Sequence, residues 1–226
     1  MTQSWHDLLF AHWPVSSREL RELVPAGLEL DIFDTQAWVG VVPFRMTNVA
    51  PRATPALPFV SAFNELNVRT YVTRDDKRGV YFFSLDADSQ LAVTVARTMF
   101  RLPYYLARIA LNVNGDEVQY ASRRTSGDAR AELETTYRPT GPTFEPLPGT
   151  LEYFLTERYC LYTVDEEFKA YRLEIHHRRW ALQPAEAEID VNTMADAAGV
   201  RLPAMRPLLH FSRRQDMVAW PLTRCS

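Results

Sequence analysis

The dipeptide Asn114–Gly115 constrains this chain most. It stands between two runs rich in β-branched and aromatic residues, Ile109–Val113 and Val118–Arg124. Asn-Gly between such runs is the strongest short-range signal for a tight hairpin, because both residues tolerate the positive φ that the turn demands. A chain that doubles back there commits to antiparallel sheet. Its neighbours agree. Gly127-Asp128 precedes Ala131–Tyr137, which reads as a further antiparallel partner, and Ala62–Thr73 and Val80–Leu85 flank a turn at Asp75–Gly79.

The remaining segments fit the same plan. Leu28–Phe33, Trp38–Met46, Cys160–Thr163, Ala170–His177 and Ala185–Val191 read as strands. His210–Ser212 and Met217–Trp220 read as a last hairpin. Ser16 or Ser17 caps a short amphipathic helix over 18–23 that Pro25 stops, and Thr150 caps another from Leu151 to about Arg158. Asn192 or Thr193 opens a short helix ending at Gly199. Leu91–Ala107 reads as helical with a break near Pro103, which puts Tyr104 and Tyr105 at a helix start. Val49–Pro58, with three prolines, and Arg138–Gly149 are loops. With no repeat, these elements predict one α+β domain over residues 1–226, β-rich, with short helices between antiparallel strands.

At 226 residues and 46% hydrophobic, the chain can bury one large core. Its net charge of -3 is spread along the sequence, so no basic stripe for nucleic acid appears. No apolar run approaches the length of a membrane span, and Met1–Phe10 lacks the pattern of a signal peptide. The two cysteines, Cys160 and Cys225, give no reason to expect an oxidising compartment, and the expectation is a cytoplasmic protein.

Familiar catalytic signatures are missing. The eight glycines are scattered singly, with no nucleotide-binding loop and no Gly-x-Ser-x-Gly elbow. The cysteines are not spaced for zinc, so neither metal nor cofactor is expected. Three places draw attention. Glu65, Asn67, Arg69 and Tyr71 share one parity of a strand. They form either a solvated face or, if they line an interior, a site with a desolvated carboxylate fit for acid–base work. Tyr104-Tyr105 are either packed aromatics or pocket hydroxyls. His176-His177 on a strand point to opposite faces and cannot share one metal. His177 follows Tyr171, Leu173 and Ile175 into the apolar side, where a structural histidine is the commoner case and a ligand contact the alternative.

Five stretches together carry a family resemblance: HDLLFAHWPVSSRELRELVPAGLELDIFDTQAWVGVVPFRM, FNELNVRTYV, FRLPYYLA, HHRRWALQPAEAEI and HFSRRQDMVAWPL. Through them nearly the whole chain resembles the bacterial family called domain of unknown function 2071. That resemblance implies an acetoacetate decarboxylase-like fold, a barrel or cone of antiparallel strands around a pocket. It also suggests a correspondence with the decarboxylase. Leu23–Asp31 resembles the run after its first helix, and counting back from there its active-site arginine falls about at His6. Phe63-Asn64-Glu65 resembles the segment with its active-site glutamate, and Leu102–Leu106 resembles the segment with its Schiff-base lysine and that lysine's neighbour. Glu65 and Tyr104 lie 39 positions apart, close to the decarboxylase separation.

Here the two lysine positions hold Tyr104 and Tyr105. Tyrosine cannot form an imine. The chain has only two lysines, Lys77 and Lys169, both in charged segments that should be solvated. The expected activity therefore excludes a Schiff base. The first expectation is a protein that binds a small organic molecule through His6, Glu65, Arg69, Tyr104, Tyr105 and His177 in an aromatic-walled pocket. The second is a lyase, isomerase or hydratase using Glu65 as acid or base on a small keto or hydroxy acid. The third is a packed interior with homo-oligomer formation through exposed edge strands.

Overall fold

The computed structural model describes residues 1–50 and 62–225. The proline-rich loop expected over 49–58 falls mostly outside the described residues. The strands are β1 (Thr2–Val15), β2 (Glu29–Leu30), β3 (Ala37–Ala50), β4 (Phe63–Arg74), β5 (Lys77–Ala87), β6 (Tyr104–Asn114) and β7 (Glu117–Arg124). They continue as β8 (Glu132–Pro139), β9 (Cys160–Val164), β10 (Ala170–His177), β11 (Gln183–Asn192), β12 (Leu208–Ala219) and β13 (Thr223–Arg224). Three short helices intervene: α1 (Ser17–Leu23), α2 (Gln90–Phe100) and α3 (Leu151–Thr156). Each has a hydroxyl cap on its first turn, from Ser16, Ser89 and Thr150.

The strand pairings close on themselves. β4 pairs with β5, β5 with β9, β9 with β10, β10 with β12, β12 with β1, β1 with β3, and β3 again with β4. Most of these pairs are antiparallel; β5 meets both β6 and β9 in short parallel segments. A second layer, β6-β7-β8-β11, is joined to this ring through β5 and β12.

The two layers explain the sequence pattern of the ring strands. Leu8 and Phe10 of β1, and Val42 and Phe44 of β3, belong to the inner core. Leu9 and Ala11, Val39 and Val41, and Leu66 and Val68 of β4 belong to a second core shared with Val118, Tyr120, Leu133 and Tyr137 of the outer layer. Strands buried on both faces read as continuous apolar runs rather than clean alternation.

The turns follow backbone chemistry. Asp75 and Asp76 both hold positive φ, 51° and 59°, as a two-residue I′ turn between Arg74 and Lys77 requires. The second hairpin turns at Gly115-Asp116, one residue later than expected, with Gly115 at φ 62° and Asn114 paired to Glu117. No helix among the described residues is long and apolar enough to cross a membrane.

β1 carries a bulge between His6 and Ala11, with Asp7 at φ 53°. Two expectations about the later elements need correction. The helix from Leu91 ends at Phe100, where Arg101 turns left-handed at φ 55° ahead of Pro103. Tyr104 and Tyr105 therefore begin strand β6, because proline cannot continue the helix and β5 offers a free edge. The expected last hairpin is one strand, β12. Its polar centre Arg213–Asp216 resembles a turn, yet it stays extended because β1 supplies matching partners. Arg213 reaches Asp7 at 2.9 Å, and Ser4 donates to Asp216 at 2.6 Å.

Candidate functional site

The ring encloses a cavity of about 580 Å³. Every ring strand contributes to its wall, for example Trp5 from β1, Phe44 from β3, Phe82 from β5, Leu161 from β9, Leu173 from β10 and Met217 from β12. Helix α2 presents Ala92, Val95 and Ala96 to the same space. The wall is mostly apolar, so its few polar groups stand out.

β4 supplies the first of them. Its polar parity faces inward, so Glu65, Asn67 and Arg69 line the cavity while Leu66 and Val68 pack against the outer layer. This excludes the solvated-face reading of the strand: Glu65 is only 3% exposed. The Tyr104 hydroxyl donates to Glu65 Oε2 at 2.6 Å. Tyr120, reaching from the outer layer, donates to the Glu65 backbone carbonyl at 2.9 Å and fixes the strand. Burial pushes the Glu65 carboxyl up to about 7. The hydrogen bonds from Tyr104 and Asn67 hold it down, and the nearby Asp86 charge pushes it further up. Burial, with the Glu65 charge beside it, drives the Tyr104 phenol well above its ordinary value. The pair thus sets a buried carboxyl, held near 7, beside a phenol that donates to it.

Asp86, which raises Glu65, is itself locked. Arg124 binds it with two bonds of 2.7 and 2.8 Å, and both side chains are buried. Arg124 also lies 3.9 Å from the centre of the Tyr105 ring, and Arg97 stacks on the same ring. Tyr105 therefore faces away from the cavity. Neighbours on a strand alternate, so only Tyr104 of the pair enters.

His6 is likewise misplaced by sequence counting. Trp5 takes the inward position, and His6 Nε2 bonds Thr47 Oγ1 at 2.8 Å on the other face. Partial burial and the adjacent Arg45 and Arg214 lower its pKa. His177 does line the cavity. Its ring is tied to the backbone carbonyls of Arg178, at 2.7 Å, and Arg158, at 3.2 Å, and stacks on Tyr159 at 4.6 Å. Its first role is to hold these segments together.

Sequence reasoning missed the second cationic group. Arg158, just beyond α3, lines the cavity with a side chain 4% exposed. Its Nη1 meets Asp31 at 2.5 Å and its Nε donates to Phe154 O at 2.6 Å. Arg69 donates to Leu155 O at 3.3 Å, and both guanidiniums lie against the Tyr71 ring, at 5.8 and 4.9 Å from its centre. Trp180 completes the polar end, packing edge-on to Phe10 at 4.9 Å. No local motif marks Arg158 or Trp180; only ring closure brings them beside β4.

Neither lysine lines the cavity. Lys77 pairs with Glu174 at 2.5 Å and Lys169 pairs with Glu167, both on the outside of the ring.

The model of domain of unknown function 2071, described as an uncharacterized conserved protein, matches residues 2–216. The chain belongs to that family. It is 50% identical over 226 residues to the uncharacterized protein YqjF of Bacillus subtilis strain 168, covering all of this chain and 93% of that one. Among solved structures it resembles the acetoacetate decarboxylase of Legionella pneumophila, with a TM-score of 0.65 and 12% identity over 100% of this chain and 87% of that one. It also resembles the enduracididine biosynthesis enzyme MppR, in a complex with the condensation product of pyruvate and imidazole 4-carboxaldehyde. That match has a TM-score of 0.68 and 10% identity over 99% of this chain and 88% of that one. Likeness at such identity shows the acetoacetate decarboxylase-like fold alone.

Proposed function

We propose that this protein binds a small, largely apolar organic molecule inside the ring, without Schiff-base chemistry. One observation carries the reading: a cavity of about 580 Å³ with an aromatic wall and a few convergent polar groups, none of them a lysine. That size and that composition are typical of small-molecule sites. The test is titration with the neutral fluorophore N-phenyl-1-naphthylamine. Its emission should rise on binding to the wild-type protein. Ala96→Trp, which fills the cavity from α2, should abolish the rise while circular dichroism stays unchanged. A wild-type protein that leaves the fluorophore dark would refute the reading.

A second reading rests on the Glu65–Tyr104 pair. A carboxyl pushed up to about 7 with a phenol at 2.6 Å suits a general acid or base with an oxygen-binding partner. The reaction would be a lyase, isomerase or hydratase step on a small keto or hydroxy acid. MppR, of the same fold, has been solved with pyruvate. Turnover of pyruvate or acetoacetate that disappears in Glu65→Gln would favour this reading over binding alone. Turnover that survives the substitution would remove Glu65 from the chemistry.

A further inference from the structure

Four polar atoms of the cavity wall are buried and have no hydrogen-bond partner among the described residues: Asn67 Oδ1, Arg69 Nε, Arg158 Nη2 and Trp180 Nε1. Buried polar groups are almost always paired, so four orphans on residues that line one cavity call for an explanation. Three of the four are donors, and they lie around two adjoining rings. Arg69 and Trp180 both contact Phe10, with the Arg69 guanidinium carbon 5.3 Å from that ring's centre. Arg69 and Arg158 both contact Tyr71.

The charges are unequal. Arg158 has a carboxylate partner in Asp31 at 2.5 Å, which the more exposed Arg78 also approaches at 3.5 Å. Arg69 has only the Leu155 carbonyl and the two aromatic faces, and no ion pair to a carboxylate among the described residues. A guanidinium in a mostly apolar cavity without a counter-ion is costly, and an anion from outside relieves it. With Glu65 protonated, the surplus is a single positive charge. A dianion would leave a second negative charge facing Glu65 across a wall of low dielectric.

On the side of α2 the wall is apolar, with Leu91, Val95 and Phe100. We infer that the ligand is an amphipathic monocarboxylate, its carboxylate held by Arg69, Arg158 and Trp180 and its aliphatic or aromatic body lying toward α2. This assignment rests on the cavity reading above and names its ligand class.

The test is displacement of N-phenyl-1-naphthylamine by decanoate and by 1-decanol, which differ only in the head group. On the wild-type protein, near pH 7 where the acid is ionised, decanoate should displace the probe at about tenfold lower concentration than the alcohol. In Arg69→Met the ratio of the two displacing concentrations should fall to about one. Arg158 is left intact, because its removal would leave the buried Asp31 with only the longer ion pair to Arg78, at 3.5 Å. Equal displacement by acid and alcohol on the wild type, or an acid advantage that persists in Arg69→Met, would overturn the carboxylate assignment and leave the cavity reading standing. Failure of the probe itself to bind the wild type would remove both. The comparison on the wild type stands even if the variant does not fold.

Discussion

Replacing Glu65 by glutamine tests the electrostatics of the cavity without disturbing its shape. Glutamine keeps the acceptor for the Tyr104 hydroxyl and removes the ionisable group. The folded protein holds the Glu65 carboxyl at about 7 against an ordinary value of 4.5. Between those limits the folded state binds the proton and the unfolded state releases it. Stability therefore falls as pH rises through that window, then levels above it. The difference between 4.5 and about 7 corresponds to roughly 3 kcal/mol at full ionisation. Glu65→Gln escapes this loss. Its stability relative to wild type should improve by about 3 kcal/mol between pH 4.5 and pH 8. Urea denaturation of both proteins at several pH values measures it, and other titrating groups cancel in the difference. A difference that does not change with pH, or that moves against the variant as pH rises, would refute the assignment of a desolvated Glu65.

Two substitutions should move the same carboxyl in opposite directions, read by carbon-13 NMR of labelled glutamate. Tyr104→Phe removes the 2.6 Å bond to the carboxylate and should raise the Glu65 midpoint by roughly one to two pH units. Asp86→Asn removes a neighbouring negative charge and should lower it. Asp86→Asn also strands the buried Arg124 and should cost about 3–5 kcal/mol in urea denaturation; a cost under about 1 kcal/mol would contradict a tight buried pair. Gly115→Ala should cost about 1 kcal/mol by the same assay, wholly from the positive φ of 62°, since no atom lies within 4 Å of an added Cβ.

The parity of β4 was legible in the sequence, and Glu65 and Tyr104 stood out as partners by resemblance. Which side of β4 faces inward was not legible. That depends on β4 meeting both β3 and β5 while the outer layer covers its other face. Counting residues failed at His6 because the strand bulges nearby, with Asp7 left-handed, and parity gives the inward place to Trp5. Arg158 was invisible for a different reason. Its partner Asp31 lies 127 positions away, and only the closed ring joins them. The polar run Arg213–Asp216 looked like a turn because its charges are satisfied by β1, more than two hundred positions earlier in the chain.

A ligand held inside the ring with its polar head at Arg69 can be seen directly. A crystal structure of the protein soaked with 10-bromodecanoate tests this most directly, since bromine is located by anomalous scattering. One bromine peak is expected among Leu91, Val95 and Phe100, with the carboxylate beside Arg69 and Arg158. Bromine found only on the outer surface, with the cavity free of the acid, would contradict it.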